Sequence, residues 1–163
     1  MKKLLIAASA AALSLAAPAL AHAEAALYAS VGYANLDVDP VTLGAIQARL
    51  GVDVTPHFAV EGEASFGIAD DDILGVSVDL SSSYGLFAVA KMPVSENIEV
   101  FVRGGIASAE IDVGGTSVSD DGAAYGLGVQ GFFTANDGVR FEYTRYDFGG
   151  EADVWALSYV RKF

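Results

Sequence analysis

The sequence has no cysteine, few bases and, beyond its amino terminus, no long hydrophobic run. Without cysteine, neither a disulfide framework nor a thiolate metal site is available. The 9 lysines and arginines stand against 21 aspartates and glutamates, so no basic surface exists to neutralise phosphates, and nucleic-acid binding is excluded. No later apolar stretch approaches the roughly 18 residues that mark a transmembrane helix.

The amino terminus predicts a secretory signal peptide over residues 1–23. Two lysines precede an apolar stretch that ends at Leu20, and Ala21-His22-Ala23 is the small-residue pattern that a signal peptidase cleaves. Its removal leaves 7 bases against 21 acids, a formal charge of −14. Export without cysteine is typical of a bacterial envelope protein, and we expect residues 24–163 to form one domain.

After the predicted signal, apolar and polar residues alternate with a period of two, which favours strands over helices. Gly, Pro, Asn, Asp and Ser interrupt this alternation at intervals. In the fourth predicted strand, Ser81-Ser82-Ser83 is a place for a bend. We predict eight strands, near residues 26–36, 42–54, 57–69, 75–92, 97–112, 122–134, 138–148 and 153–163.

The chemistry of the two sides of each predicted strand indicates a membrane barrel. In the third strand, one side carries Phe58 and Phe66, whereas the other carries Glu61 and Glu63 between small residues. A soluble barrel needs large apolar side chains inside, but a spanning barrel places them against lipid and pairs every backbone group in a closed sheet. We therefore predict an all-β fold: a transmembrane, eight-stranded, antiparallel up-and-down β-barrel of the bacterial outer membrane.

The predicted connections alternate between short turns and longer, acidic loops. Short turns fall at Thr55-Pro56, at residues 93–96 and at residues 135–138. Because short turns of outer-membrane barrels face the periplasm, we expect both termini there. On the lipid-facing side we predict interfacial aromatic residues: Tyr33, Phe58, Tyr84, Tyr125, Phe133, Tyr143, Trp155, Tyr159 and Phe163.

Three segments resemble the OmpA-like and opacity-protein-like small outer-membrane barrels. They are KMPVSENIEVFVRGG at Lys91–Gly105, VRFEYTRYDFG at Val139–Gly149 and the terminal LSYVRKF at Leu157–Phe163. The resemblance covers the chain from Ala26 to Phe163 and implies the same barrel, with an internal cluster of acids and bases that links several strands. It also implies that the barrel-assembly machinery receives the last strand through its terminal aromatic residue.

We interpret the predicted inward polar residues as a structural core, because an eight-stranded barrel is just wide enough for side chains to fill it. An unpaired buried charge is costly, so we expect Arg140 to pair with an acid from another strand. Gln130 is neutral where the resemblance implies an acid. The inward set is Gln47, Arg49, Glu61, Glu63, Lys91, Arg103, Gln130, Arg140 and Glu142.

Most acids fall near the longer connections, where Arg145 is the only base. We interpret them as a solvated rim. The alternative is that Ca²⁺ or Mg²⁺, held by Asp70, Asp71 and Asp72, bridges to the phosphates of lipopolysaccharide, although no EF-hand spacing supports it. The acids near the longer predicted connections, 13 of the 21 in the sequence, are Asp37, Asp39, Asp70, Asp71, Asp72, Asp79, Glu110, Asp112, Asp120, Asp121, Asp147, Glu151 and Asp153.

These features predict a monomeric, envelope-stabilising outer-membrane protein surrounded by lipid and lipopolysaccharide, without a cofactor. We do not expect an enzyme, because the mature chain has only one histidine, His57, at a turn, and no nucleophile, base and orienting acid assemble around it. Two alternatives remain open: an opacity-like adhesin or surface-recognition protein, and a narrow porin-type channel.

Overall fold

The described part of the chain forms nine strands in one antiparallel sheet. The computed structural model describes residues 26–38, 41–69, 71–73, 76–113 and 116–163, so the predicted signal peptide lies outside the described residues. Among those residues, no helix is long and apolar enough to cross a membrane. The strands are β1 (Leu27–Val38), β2 (Val41–Thr55), β3 (Phe58–Ala69), β4 (Asp71–Ile73), β5 (Val76–Pro93), β6 (Ile98–Val113), β7 (Thr116–Phe132), β8 (Asp137–Asp147) and β9 (Glu151–Lys162).

The sheet closes into a barrel of eight strands. Neighbouring strands pair in the order β3-β2-β1-β9-β8-β7-β6-β5-β4, and an additional pairing of β3 with β5 completes the ring. The short β4 follows β3 after one intervening residue and pairs with the start of β5. The prediction of an eight-stranded antiparallel barrel is therefore confirmed.

The two ends of the barrel differ in their connections. At the end that carries Leu27 and Lys162, which we call the turn end, short turns join β2 to β3, β5 to β6 and β7 to β8. At the opposite end, the far end, β1 meets β2, β4 meets β5, β6 meets β7 and β8 meets β9. The turn-end connections lie where the sequence predicts them.

The prediction of longer loops at the far end is wrong. The strand β7 begins at Thr116 rather than near Gly122, and only two residues separate it from Val113 at the end of β6. Aspartate and serine residues that signal turns are here part of a strand ladder, in which Asp120 is opposite Ala109. Outside the lipid bilayer a strand does not need an apolar side. The alternation of apolar and polar residues, on which the prediction rests, is therefore absent there.

The strand β5 contains the irregularity predicted at its serines. It runs without a break from Val76 to Pro93, but its register with β6 shifts between Leu80 and Ser82. Such a shift bends a strand and increases its twist while the ladder on either side continues.

The outer and inner faces of the wall carry opposite chemistry. Leu127 and Leu157 are each 60% exposed on the outside, whereas Arg140 is 1% exposed inside. The strand β8 shows the alternation most clearly, because Val139 and Phe141 are exposed and Arg140 and Glu142 are buried. This arrangement is the reverse of a soluble barrel and suits a wall in contact with lipid.

Apolar side chains inside the barrel form two clusters, with charged residues between them along the strands. Both clusters consist of inward-facing residues, and small alanines leave room for a few aromatic rings. The far-end cluster is Ala34, Ala45, Phe87, Ala107, Ala109, Ala124, Tyr146, Ala152, Val154 and Ala156. The turn-end cluster is Tyr28, Ala59, Val89, Phe101 and Val160.

Candidate functional site

Three arginines and three glutamates meet inside the barrel. They project from β2, β3, β6 and β8, and each is 6% exposed or less. Equal numbers of the two charges make the group formally neutral, as a low-dielectric interior requires. This group, which we call the ionic layer, is Arg49, Glu61, Glu63, Arg103, Arg140 and Glu142.

Glu142 is the centre of the ionic layer, because its carboxylate accepts hydrogen bonds from all three arginines. Arg103 Nη1 donates to Oε1 at 2.8 Å, and Arg140 Nε donates to Oε2 at 2.7 Å. Arg49 Nη2 also donates to Oε1. One carboxylate thereby joins guanidinium groups from three strands.

The two acids of β3 complete the ionic layer on either side of Glu142. Glu63 Oε2 accepts from Arg49 Nε at 2.8 Å and from Arg103 Nη2 at 2.6 Å. Arg140, for which the sequence predicts an acidic partner on another strand, donates to Glu61 Oε1 at 2.5 Å and Oε2 at 3.2 Å. All six groups therefore belong to one bonded network, which stabilises charges that would be costly alone.

Four inward aromatic residues bound the ionic layer. The guanidinium carbon of Arg103 lies 3.5 Å from the ring centre of Phe87, and that of Arg140 lies 3.9 Å from the ring centre of Phe101. Cation–π contacts of this kind add attraction where water is excluded. Two tyrosines also donate to the acids, Tyr146 to Glu63 Oε1 at 2.6 Å and Tyr28 to Glu61 Oε1 at 2.7 Å.

Sequence reasoning missed these four aromatic residues, although a signal for them exists. Phe87 has the same strand parity as Lys91, and Phe101 has the parity of Arg103. Large aromatic groups are ordinarily assigned to the lipid face. Their inward position follows from strict alternation along each strand.

Two residues of the predicted inward set lie apart from the ionic layer, at the turn end. Lys91 Nζ contacts Asp53 Oδ1 at 2.5 Å. Gln130 Nε2 donates to Glu99 Oε2 at 2.6 Å, and Lys162 Nζ donates to Glu99 Oε1 at 3.1 Å. Gln47, in contrast, accepts a hydrogen bond from Arg49 within the layer.

The nine predicted interfacial aromatic residues all have outward parity. Phe58, Phe133, Tyr159 and Phe163 lie near the turn end, where strands begin or end. A second level lies well inside the strands rather than at their ends and consists of Tyr33, Tyr84, Tyr125, Tyr143 and Trp155. Trp155 packs on Tyr143 with ring centres 4.8 Å apart.

The spacing of the two levels matches a bilayer. Tyr125 and Phe133 are eight residues apart along the chain, about 27 Å at the rise of an antiparallel strand. A strand tilt of about 40° converts this to roughly 20 Å of height, close to the apolar band of an outer-membrane barrel. The far ends of β5, β6 and β7 therefore extend beyond the second level.

The far-end acids are only partly described by the structure. Asp39 and Asp70 lie outside the described residues, and for Asp71, Asp72, Asp79 and Asp112 only the strand positions are described. Within the described part of the chain, no group of three or more metal-ligating side chains is found. Arg145, the only base of this region, donates to Asp153 through Nε at 2.7 Å and Nη2 at 2.9 Å.

His57 lies in the exposed turn between β2 and β3. Its backbone N–H donates to Thr55 Oγ1 at 3.2 Å, and the N–H of Phe58 donates to the same oxygen at 3.0 Å. Local hydrogen bonds to a threonine hydroxyl are typical of tight turns. These hydrogen bonds of the turn explain why His57 lies where it does.

The sequence and the fold together place the chain in a family. It belongs to the family described as the outer membrane protein beta-barrel domain, whose model matches residues 6–163. The chain is thus an outer-membrane β-barrel protein, as the resemblance predicts. A search of curated protein sequences finds no match.

Several solved structures share the fold at low sequence identity. Ail, the attachment invasion locus protein of Yersinia pestis, is 16% identical, with a TM-score of 0.64 over 85% of this chain and 99% of Ail. Neisserial surface protein A is 14% identical, with a TM-score of 0.66 over 86% of this chain and 98% of that protein. The N-terminal barrel domain of Pseudomonas aeruginosa OprF is 13% identical, with a TM-score of 0.64 over 85% and 97%.

Proposed function

We propose that this protein is a structural component of the outer membrane whose barrel does not conduct ions. The main support is the hydrogen bonding of Glu142, whose carboxylate joins three arginines across the interior. A carboxylate saturated by three guanidinium groups leaves no free charge to attract an ion. The far-end and turn-end clusters border this layer along the strands, so an ion that crosses must displace packed aromatic rings as well as ion pairs.

Conductance across a planar bilayer tests the proposal. Refolded protein is expected to give no current steps at protein concentrations where a large water-filled porin, used as the positive control, gives many. A double variant, Phe87→Ala with Phe101→Ala, removes a ring on either side of the ionic layer and serves to show whether packing alone prevents conduction. Discrete current steps from the unaltered protein, rising in number with its concentration, would contradict the proposal.

We further propose that the turn end faces the periplasm. Support comes from the far ends of β5, β6 and β7, which extend beyond the second aromatic level, whereas the turn-end connections follow directly after the first level. In outer-membrane barrels the longer extensions face outward and the short turns face the periplasm. Because the chain contains no cysteine, single cysteines report orientation directly. Gly150→Cys at the far end should react with a membrane-impermeant maleimide on intact cells, whereas Glu96→Cys in a turn should react only after the outer membrane is opened. The reverse labelling pattern would refute this orientation.

The proposed partners follow from the wall and the last strand. We propose that membrane lipid and lipopolysaccharide surround the barrel, with the two aromatic levels in the headgroup regions. We also propose that the assembly machinery receives β9 through Phe163, which is 67% exposed and whose N–H donates to Leu27 O at 2.8 Å. Phe163→Ser should lower the amount of folded barrel in cells, whereas Phe133→Ser, an equally exposed matched control, should lower it less.

A further inference from the structure

At the far end, a small sheet projects beyond the rest of the barrel. The hairpin of β8 and β9 ends at the pair Asp147 and Glu151. The strand β7 pairs with β8 only from Ala123 onwards, but it continues to pair with β6 as far as Thr116. β4 and the first residues of β5 extend the same sheet on its other side.

The projecting part of β7 has one open edge. Over residues 116–121 it pairs with β6, and among the described strands none pairs with its other side. Six residues of strand span about 20 Å. The opposite margin of this sheet differs, because β4 contacts β2 there.

The hydrogen bonds show which backbone groups face the open edge. The N–H of Phe132 donates to Asn97 O, just before β6, at 2.8 Å, and the register of β7 with β6 is unshifted, so the even-numbered residues of β7 face β6. The N–H of Asp121 donates to the carboxylate Oδ1 of Asp120 at 2.9 Å. In an antiparallel ladder, alternate residues direct both N–H and C=O to the same side. Asp121, and by alternation Ser119 and Ser117, therefore present their backbone groups to the open side.

The surroundings of this edge are strongly acidic. Glu110, Asp120, Asp121, Asp147 and Glu151 are all exposed there. Among the residues that the structure describes, the only base near them is Arg145, which pairs with Asp153 at 2.7 Å and with Glu151 at 3.4 Å. Charged residues on an edge discourage pairing with a second copy of the same acidic strand. The same charges favour a strand of the opposite sign.

We propose that the open edge of β7 binds an extended, lysine- or arginine-bearing segment of another protein by strand addition. Backbone hydrogen bonds to Ser117, Ser119 and Asp121 hold such a segment, and the surrounding acids select its charge. The incoming strand displaces the Asp120 carboxylate from the N–H of Asp121, which frees that carboxylate for a cationic side chain. Binding at this edge does not depend on whether the lumen conducts.

A synthetic peptide tests the proposal on the full-length mature protein in nanodiscs of phosphatidylcholine, which carry no net charge. The probe is acetyl-Lys-Val-Lys-Thr-Lys-Val-Lys-amide, titrated by calorimetry. We expect it to bind and to slow amide exchange of Ser117, Ser119 and Asp121 by about tenfold or more, since backbone bonding closes these groups to solvent. The acidic analogue with glutamate in place of lysine should not bind.

Two matched changes separate strand addition from simple charge attraction. Ser119→Pro removes an N–H on the open side without removing a bond to β6, and it should abolish binding, whereas Ser119→Ala should preserve it. The probe N-methylated at alternate residues keeps its charge but should fail to bind. Equal binding of the N-methylated probe, or of the protein with Ser119→Pro, would overturn the proposal, as would absence of binding by the unmodified probe.

A charge variant tests the selection of a basic partner. Asp120→Asn with Asp121→Asn should weaken binding roughly threefold to tenfold, the range expected for two exposed charge pairs. Asp37→Asn with Glu96→Gln removes the same charge away from β7 and should leave binding unchanged. If both pairs of substitutions weaken binding equally, the edge does not select the peptide, and the proposal fails.

Discussion

The substitution Glu142→Gln tests whether the ionic layer holds the barrel together. Glutamine has nearly the same shape as glutamate, so the change removes charge while it leaves volume almost intact. Three arginines then face two carboxylates in the interior. Removal of one partner of a buried ion pair typically costs about 3–5 kcal/mol.

The structure places the expected cost near the lower end of that range. Arg49 and Arg103 keep Glu63 at 2.8 Å and 2.6 Å, and Arg140 keeps Glu61 at 2.5 Å. The amide oxygen of the introduced glutamine still accepts one or two hydrogen bonds. We therefore expect the free energy of unfolding to fall by about 3 kcal/mol.

Equilibrium urea unfolding in phospholipid vesicles measures this cost, with the emission of Trp155 as the signal, since it is the chain's only tryptophan. Glu96→Gln, in an exposed turn, is the matched control and should change the free energy by no more than about 0.5 kcal/mol. Adding Arg49→Gln to Glu142→Gln restores equal numbers of charges and should recover about 1 kcal/mol or more. A loss below about 1 kcal/mol for Glu142→Gln alone would refute the reasoning.

Three further predictions concern backbone contact, a buried hydroxyl and the lipid face. Gly105→Ala should lower the free energy of unfolding, measured by urea titration, by about 1–3 kcal/mol, because a Cβ there would lie 2.0 Å from Leu86 O. The adjacent Gly104→Ala should change this free energy little, since a Cβ there would have nothing within 4 Å. Equal costs for the two substitutions would contradict this account. Tyr28→Phe should cost about 1–3 kcal/mol in the same assay, since Glu61 loses a buried donor, and Tyr33→Phe on the outer wall is its control. Trp155, 49% exposed on the outer wall, should be quenched strongly by lipids brominated on the acyl-chain carbons nearest the headgroup, and unquenched emission would place it inside the barrel instead.

Much of the fold follows from alternation, which the sequence displays directly. In β3, Phe58 and Phe66 on one side and Glu61 and Glu63 on the other identify the two faces without reference to any other strand. The turn after Thr55 is similarly local, since its threonine hydroxyl accepts from two backbone N–H groups nearby. Period-two alternation and turn chemistry are properties of a few consecutive residues.

Alternation could not predict the strand residues that lie outside the bilayer, because there no lipid requires one side of a strand to be apolar. The first residues of β7 carry serine and aspartate, which predict a loop, yet they pair with β6. Outside the bilayer, backbone pairing is favourable whatever the side chains face. The projecting sheet therefore has no hydrophobic signature.

That this chain forms a barrel with an apolar outside and a charged inside follows from local alternation, because each residue's side of the wall depends only on its parity. The contact of Glu142 with Arg49, Arg103 and Arg140 depends instead on the tertiary structure. So does the position of Lys91 and Gln130, which lie with other partners at the turn end. Side chains that meet across the interior come from strands far apart in the chain. Their heights are set by the tilt and stagger of the strands, which accumulate around the closed barrel.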